Sequence, residues 1–325
     1  MELNDYKNLV SIDFNEAKTY PLKSRPCKVS AEQFGKVTGA EAAVKFSDFL
    51  ESLPQIQQAK DFTDFCSLCS DSIKESKKIT AAIGGHVIKT GVTPFLIDMI
   101  KKGLIGMISM NGSAAIHDFE IALNGKTSED VASALIDGSF GMAHETGFYI
   151  NDSFNNALKN NTGAGYEIYR TIENLNAPYK EKSLIYNAYK NGVPATVHIA
   201  VGTDIVHVHP NASGAAIGAA SFNDFKLYCG GISGLTPGSV YMNIGSAVVM
   251  PEVFLKALTA VRNIGYDVKG FHTANFDMIN QYRPHTNVLS RPTIGSGGRS
   301  FNFIGVHEIM IPLFYYSLMD RLNHA

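Results

Sequence analysis

Short uncharged apolar runs alternate with amphipathic stretches over most of the chain. Lys78-Ile-Thr-Ala-Ala-Ile-Gly84 has the length and β-branched content of a buried strand, and Gly84-Gly85 closes it. Thr93-Pro94 then reads as an N-cap followed by proline at the first helical position. Phe95, Ile97, Met99 and Ile100 carry that helix to Lys101-Lys102-Gly103. Leu104 to Met110 is a second strand, and a helix begins at Ser113. The alternation returns with a helix over Lys182 to Lys190, ended by Asn191-Gly192, and a strand over Pro194 to Val201. Ser239 to Ile244 is a further strand, followed by a helix from about Pro251 to Asn263 and a strand over Val268 to Ala274. Toward the end, His307-Glu308 stands at the end of an expected strand, before an apolar helix over Ile309 to Leu318.

Strands alternating with helices predict an α/β fold, a Rossmann-like parallel sheet with helices on both faces. Residues 1–40 are polar and irregular, broken by Pro21, Pro26 and Gly39, and read as an N-terminal arm. Residues 41–325 read as one domain, opening with a helical pattern that runs to Cys69. In such sheets ligands lie beyond the carboxyl ends of the strands. The expected strand ends are Gly84-Gly85-His86, Asn111-Gly112-Ser113, Gly202-Thr203-Asp204, Gly245-Ser246-Ala247 and Thr273-Ala274-Asn275. Their small residues leave backbone N–H groups open to a dinucleotide pyrophosphate, although no G-x-G-x-x-G fingerprint is present.

Composition narrows the partners. With 325 residues, 45% of them hydrophobic and a net charge of −2, the chain can bury a large core and carries no basic footprint for nucleic acid or an anionic membrane. Its longest candidate for membrane burial, Ile304 to Leu318, contains His307 and Glu308 and is too short to span a bilayer. The start MELNDYKNLV has no signal-peptide pattern, so a cytoplasmic location is expected. Cys66 and Cys69 form a lone CxxC surrounded by acids, which favours ordinary helix cysteines over a redox or zinc pair.

Two groups of residues carry candidate chemistry. In the helix after Asn111-Gly112, spacing puts Ile116, Phe119 and Leu123 on a buried stripe and Ser113, His117 and Glu120 on another face, with Asp118 between them. A polar helix face accounts for that row more simply than a catalytic triad does. Alternation along an expected strand would put His207 and His209 on one side. With His198 they could hold a metal, and a metal-dependent hydrolase or lyase is one open alternative.

Four blocks resemble the deoxyhypusine synthase superfamily in the same order: "GHVIKTGVTPFLIDMIKKGLIGMISMNGSAAIHDFEIAL" from Gly85, "SLIYNAYKNGVPATVHIAVGTD" from Ser183, "YMNIGSAVVMPEVFLKAL" from Tyr241 and "FHTANFDM" from Phe271. The resemblance implies a homotetramer with NAD across the strand ends and active sites shared between subunits. It also implies cofactor contacts at Gly85, His86, Asn111, Gly112, Ser113, Thr273, Ala274 and His307. His117 and Asp118 match the family's acidic pair, with one acid replaced by histidine. The family's imine-forming lysine is replaced by Met250, its two following histidines by Pro251-Glu252, and the chain has no tryptophan for the family's amine site. Methionine forms no Schiff base, so deoxyhypusine synthesis itself is not expected. "NGSAAIHDFE" is also similar to a run in bifunctional lysine-degradation proteins and their arginine- and ornithine-handling relatives, which keeps a basic amino acid beside a polyamine as substrate.

The expectation is therefore a NAD-binding transferase or oxidoreductase of the deoxyhypusine synthase-like class acting on a small cationic amine or amino acid. His117 would serve as base, with Asp118, Asp204 or Glu252 holding the cation. A non-catalytic ligand-binding relative is the other alternative.

Overall fold

The computed structural model describes residues 14–15, 17–19, 21, 24–25, 30–37 and 45–323; Pro26 and Gly39 of the expected arm lie outside them. Within that arm Ala31–Gln33 forms one 3-10 turn. The helical pattern expected to run to Cys69 divides into α1 (Phe46–Ser52) and α2 (Gln57–Lys74), because Pro54 lacks the N–H that a continuous helix would need. Then come β1 (Ile79–Ile83), α3 (Gly85–Lys89), α4 (Thr93–Lys101) and β2 (Ile105–Asn111). The helices α5 (Gly112–Asn124), α6 (Val131–Asp137), α7 (His144–Asn160), α8 (Ala164–Asn174) and α9 (Leu184–Lys190) precede β3 (Ala195–His198). The rest is α10 (Gly214–Ser233), β4 (Val240–Ile244), α11 (Val249–Asn263), β5 (His272–Asp277), β6 (Ser300–Ile304) and α12 (His307–Asn323).

The six strands are all parallel in the order β3-β2-β1-β4-β5-β6. β1, β3 and β4 are buried along their whole length, as expected of strands covered on both sides. One face packs Ile79, Ile83, Ile108 and Ile244 against α2, α4, α5, α9 and α12. The other packs Ala82, Met107 and Tyr241 against Tyr228 of α10 and Phe254 of α11. The chain runs outward in one direction from β1 to β3 and in the other from β4 to β6, so β1 and β4 flank a topological switch point. Here the two backbones nearly touch: a Cβ at Gly84 would sit 2.1 Å from the Gly245 carbonyl oxygen, and Gly245 holds φ +62°.

Three sequence expectations shift. β3 stops at His198, and residues 205–208 form a 3-10 turn, so His207 and His209 do not share a strand face. β5 begins at His272 and runs to Asp277, which puts Thr273 and Ala274 inside the strand, fully buried, and not in a turn beyond it. Thr93 is the first residue of α4, one position inside the expected cap.

Two buried aspartates hold helices on the sheet. Asp118 of α5, with no exposed surface, accepts hydrogen bonds from Ser183 Oγ at 2.6 Å, Leu184 N at 2.6 Å and Ile185 N at 3.1 Å, so it caps α9. Burial pushes its pKa up to about 6 against the pull of those three donors. Asp224 of α10 likewise accepts from Gly165 N at 2.9 Å and Val197 N at 2.8 Å, tying the start of α8 to β3. Asp118→Ala strands two backbone donors and a hydroxyl in the interior. Urea unfolding should show a loss of roughly 2–4 kcal/mol. A loss below about 0.5 kcal/mol would contradict this capping role.

Candidate active site

A cleft of about 890 Å³ opens over the outward side of α5, bounded by α6, α7 and the loop after β3. Four acids line it, Glu120, Glu129, Glu145 and Asp204, against two lysines, Lys89 and Lys126. Its size suits a small ligand and its acid surplus suits a cationic one. Positions 113, 117 and 120 of α5 are partly exposed to it, while Ala114, Ala115, Asp118, Phe119 and Ala122 are buried on the opposite side. That division follows directly from helical spacing.

The cleft floor holds one continuous polar chain. His117 Nδ1 lies 2.7 Å from Thr127 Oγ1, which donates a short hydrogen bond to Glu120 Oε2. Thr146 Oγ1 of α7 donates to Glu120 Oε1 at 3.0 Å, and His117 Nδ1 lies 3.9 Å from Glu120 Oε2. Burial raises the Glu120 pKa, but the nearby His117 ring and the bonds from Thr127 and Thr146 outweigh it and hold the carboxyl below its ordinary value.

Asp204 forms the wall nearest the start of α5. A Cβ on Gly112 would lie 2.0 Å from Asp204 Oδ2, so only glycine lets this carboxyl approach the helix backbone. Burial pushes the Asp204 pKa up to about 6. Asn111 Oδ1 accepts from Ala114 N at 3.0 Å and caps α5, leaving Ser113 on the cleft face.

The switch point adjoins this cleft through α3. Gly85 faces α5 so closely that a Cβ would meet Ser113 Oγ at 2.4 Å and His117 Cδ2 at 3.3 Å. The His86 and His307 rings are 5.8 Å apart, and a Cβ at Gly245 would meet His307 Nε2 at 2.6 Å. His307 Nδ1 and Asp277 Oδ2 are buried there without a hydrogen-bond partner. Orphaned buried polar atoms beside a glycine-walled strand end are the features a polar cofactor would satisfy, so these residues fit a dinucleotide.

Several sequence candidates lie elsewhere. Asp118 is occupied by α9 and does not reach the cleft. Glu252 on α11 is bound to Lys256, to Arg283 at 3.3 Å and to Asn287 at 2.8 Å, well apart from the His117 group. The Lys256 bond holds its carboxyl below the ordinary range. Met250 is fully buried beside Tyr241 and Phe254. His198 is sealed under Tyr228 and bonded to Thr196, its pKa lowered by burial to about 3. His207 accepts from Gly202 N, whereas His209 bonds the Gly141 carbonyl at 2.8 Å. These three histidines do not converge, and among the described residues no group of three or more His, Cys, Asp or Glu could hold a metal ion. Cys66 and Cys69 are buried free thiols, and burial pushes Cys66 up to about 12, far from redox reactivity.

Glu120, set aside on spacing alone as a polar-face residue, lies at the centre of the cleft network. Thr127 and Thr146 carried no sequence signal, since both reach Glu120 through the fold. The helical row Ser113, His117, Glu120 was the one available pointer.

No protein-family model matches the chain, and no curated protein matches it in sequence. Solved structures match the fold. A candidate deoxyhypusine synthase from Entamoeba histolytica aligns with TM-score 0.53 at 10% identity, covering 88% of this chain and 96% of that one. A mutant of AgrE in complex with L-arginine aligns with TM-score 0.51 at 14% identity, covering 81% of this chain. ArgZ, an arginine dihydrolase of the ornithine-ammonia cycle in cyanobacteria, aligns with TM-score 0.49 at 16% identity over 82% of this chain. The chain spans about a third of the length of AgrE and ArgZ, 32% and 33%. The fold is Rossmann-like α/β with deoxyhypusine synthase-like neighbours.

Proposed function

We propose that this chain is a NAD-binding enzyme of the deoxyhypusine synthase-like class that oxidises a small cationic amine, polyamine or basic amino acid bound in the α5 cleft. The observation that carries the proposal is His117, backed by Glu120 through Thr127 in an acid-lined cleft beside the sheet's switch point. A mutant of AgrE, similar in fold, forms a complex with L-arginine, which accords with a cationic amino acid.

Oxidising a protonated amine to an iminium removes one proton from nitrogen and one hydride from the adjacent carbon. NAD, when bound, supplies the acceptor for that hydride. Gly85, His86, Gly245 and His307 would hold it, where glycine backbone lies beside a buried ring nitrogen without a hydrogen-bond partner. His117 takes the ammonium proton, and Asp204 and Glu145 attract the cation. Met250, buried in the core, offers no nucleophile, and Lys256 is held outward by Glu252, so no covalent amine-transfer step is assigned. The same proposal includes a homotetramer with active sites shared between subunits. Sedimentation velocity should then show a species of four chains, and a lone monomer at micromolar concentration would remove that part. No helix among the described residues is long and apolar enough to cross a membrane.

Isothermal titration with NAD and NADH is the first test. Binding in the micromolar range is expected, and none at millimolar cofactor overturns the cofactor assignment. An amine that binds yet yields no NADH with any tested substrate would instead favour a ligand-binding relative without turnover.

The pH dependence follows from Asp204. Burial favours its neutral acid, so its charge is absent below about 6 and present above. His207, 4.0 Å away, has its pKa lowered by burial, which favours its neutral form. Affinity for L-arginine or spermidine should rise about tenfold as pH goes from 5 to 7.5, the effect of one shifted charge interaction. Asp204→Asn should flatten this profile, and an unchanged slope in the variant would exclude Asp204 as the cation's partner.

A further inference from the structure

We infer that Thr127 is the positioning residue of this site: its hydroxyl locks the His117 ring as the Nδ1–H tautomer and thereby presents Nε2 as the proton acceptor facing the cleft.

The number of available protons fixes the tautomer. Glu120 is held ionised by its surroundings, and a carboxylate only accepts hydrogen bonds. Its Oε1 accepts from Thr146, and its Oε2 accepts the single proton of the Thr127 hydroxyl. With that proton committed, Thr127 Oγ1 can meet His117 Nδ1 at 2.7 Å only by accepting, so Nδ1 carries the hydrogen. A neutral imidazole has one N–H, and Nε2 is then a bare lone pair. Among the described residues no hydrogen bond reaches Nε2, and it is not one of the buried unpartnered atoms. It therefore opens to the cleft.

The arrangement also prepares the ring to receive a proton. Once Nε2 is protonated, the imidazolium keeps its Nδ1–H bond to Thr127 and faces Glu120 at 3.9 Å, so the new charge is already compensated. Thr127 lies outside α5, three residues beyond its end, in the segment leading to α6. Gly125, with φ +69°, ends the helix and turns the chain back over its own polar face, which brings Thr127 between His117 and Glu120.

The role of Thr127 builds on the proposed function, but its test does not depend on any ligand. Long-range 1H–15N correlation spectra of the full chain, labelled at histidine, report the tautomer of each ring, and His117→Gln identifies the His117 signals. At a pH where the ring is neutral, the ligand-free protein should show protonated Nδ1 and bare Nε2. Thr127→Val should shift the ring toward Nε2–H, and Thr127→Ser should restore the original pattern. A wild-type ring with Nε2–H, or a Thr127→Val spectrum unchanged from wild type, overturns the inference. If Thr127→Val does not fold, the wild-type and Thr127→Ser spectra still decide it. Failure of cofactor or amine binding would reject the proposed function and leave this result standing. With an active amine, Thr127→Val should lower kcat by roughly 10²-fold with KM little changed.

Discussion

The buried bonds from Asp118 to the start of α9 set the rotation of α5, and most of the candidate chemistry follows from that rotation. Three donors converge on one carboxylate that has no access to water. Leaving them unpaired in the interior is costly, so α5 has one favourable setting against the sheet. Residues one position before and two positions after Asp118 then face outward together. His117 and Glu120 meet in the cleft because Asp118 does not.

Two groups of residues with different electrostatics share the carboxyl edge of the sheet. Around β1, β4 and α12 lie glycine backbone, histidine and the buried unpartnered atoms His307 Nδ1 and Asp277 Oδ2. Over α5 the acids outnumber the lysines. Gly85 stands between the two, packed against Ser113 and His117. A larger residue there would displace the very side chains that line the cleft, so its smallness serves packing as much as any ligand.

The alternation of strands and helices was legible because parallel strands buried on both faces must be continuous apolar runs, and β1, β2 and β4 fall where such runs lie. Boundaries were read less well where an apolar pattern continues beyond the ladder. Ile199 to Val201 extend the run of β3 without a strand partner, and Val268 and Phe271 pack in the core ahead of β5. The histidine pair was misplaced for the same reason. Alternating letters in "IVHVH" describe a strand, but the backbone there turns as a 3-10 helix against α7.

The linear sequence by itself determined the fold class, the helix that follows β2, and the grouping of Ser113, His117 and Glu120 on one helix face, all of which depend on neighbours within a few residues. Tertiary structure alone decided which polar residues face inward and which face the cleft. Asp118 became a cap because Ser183 and the start of α9, 65 residues later, arrive at its carboxylate. Glu120 became central because Thr146, 26 residues on, donates to it. A charged side chain's role depends on whether distant donors satisfy it in the interior or leave it to a ligand, and no local pattern encodes where those donors will be.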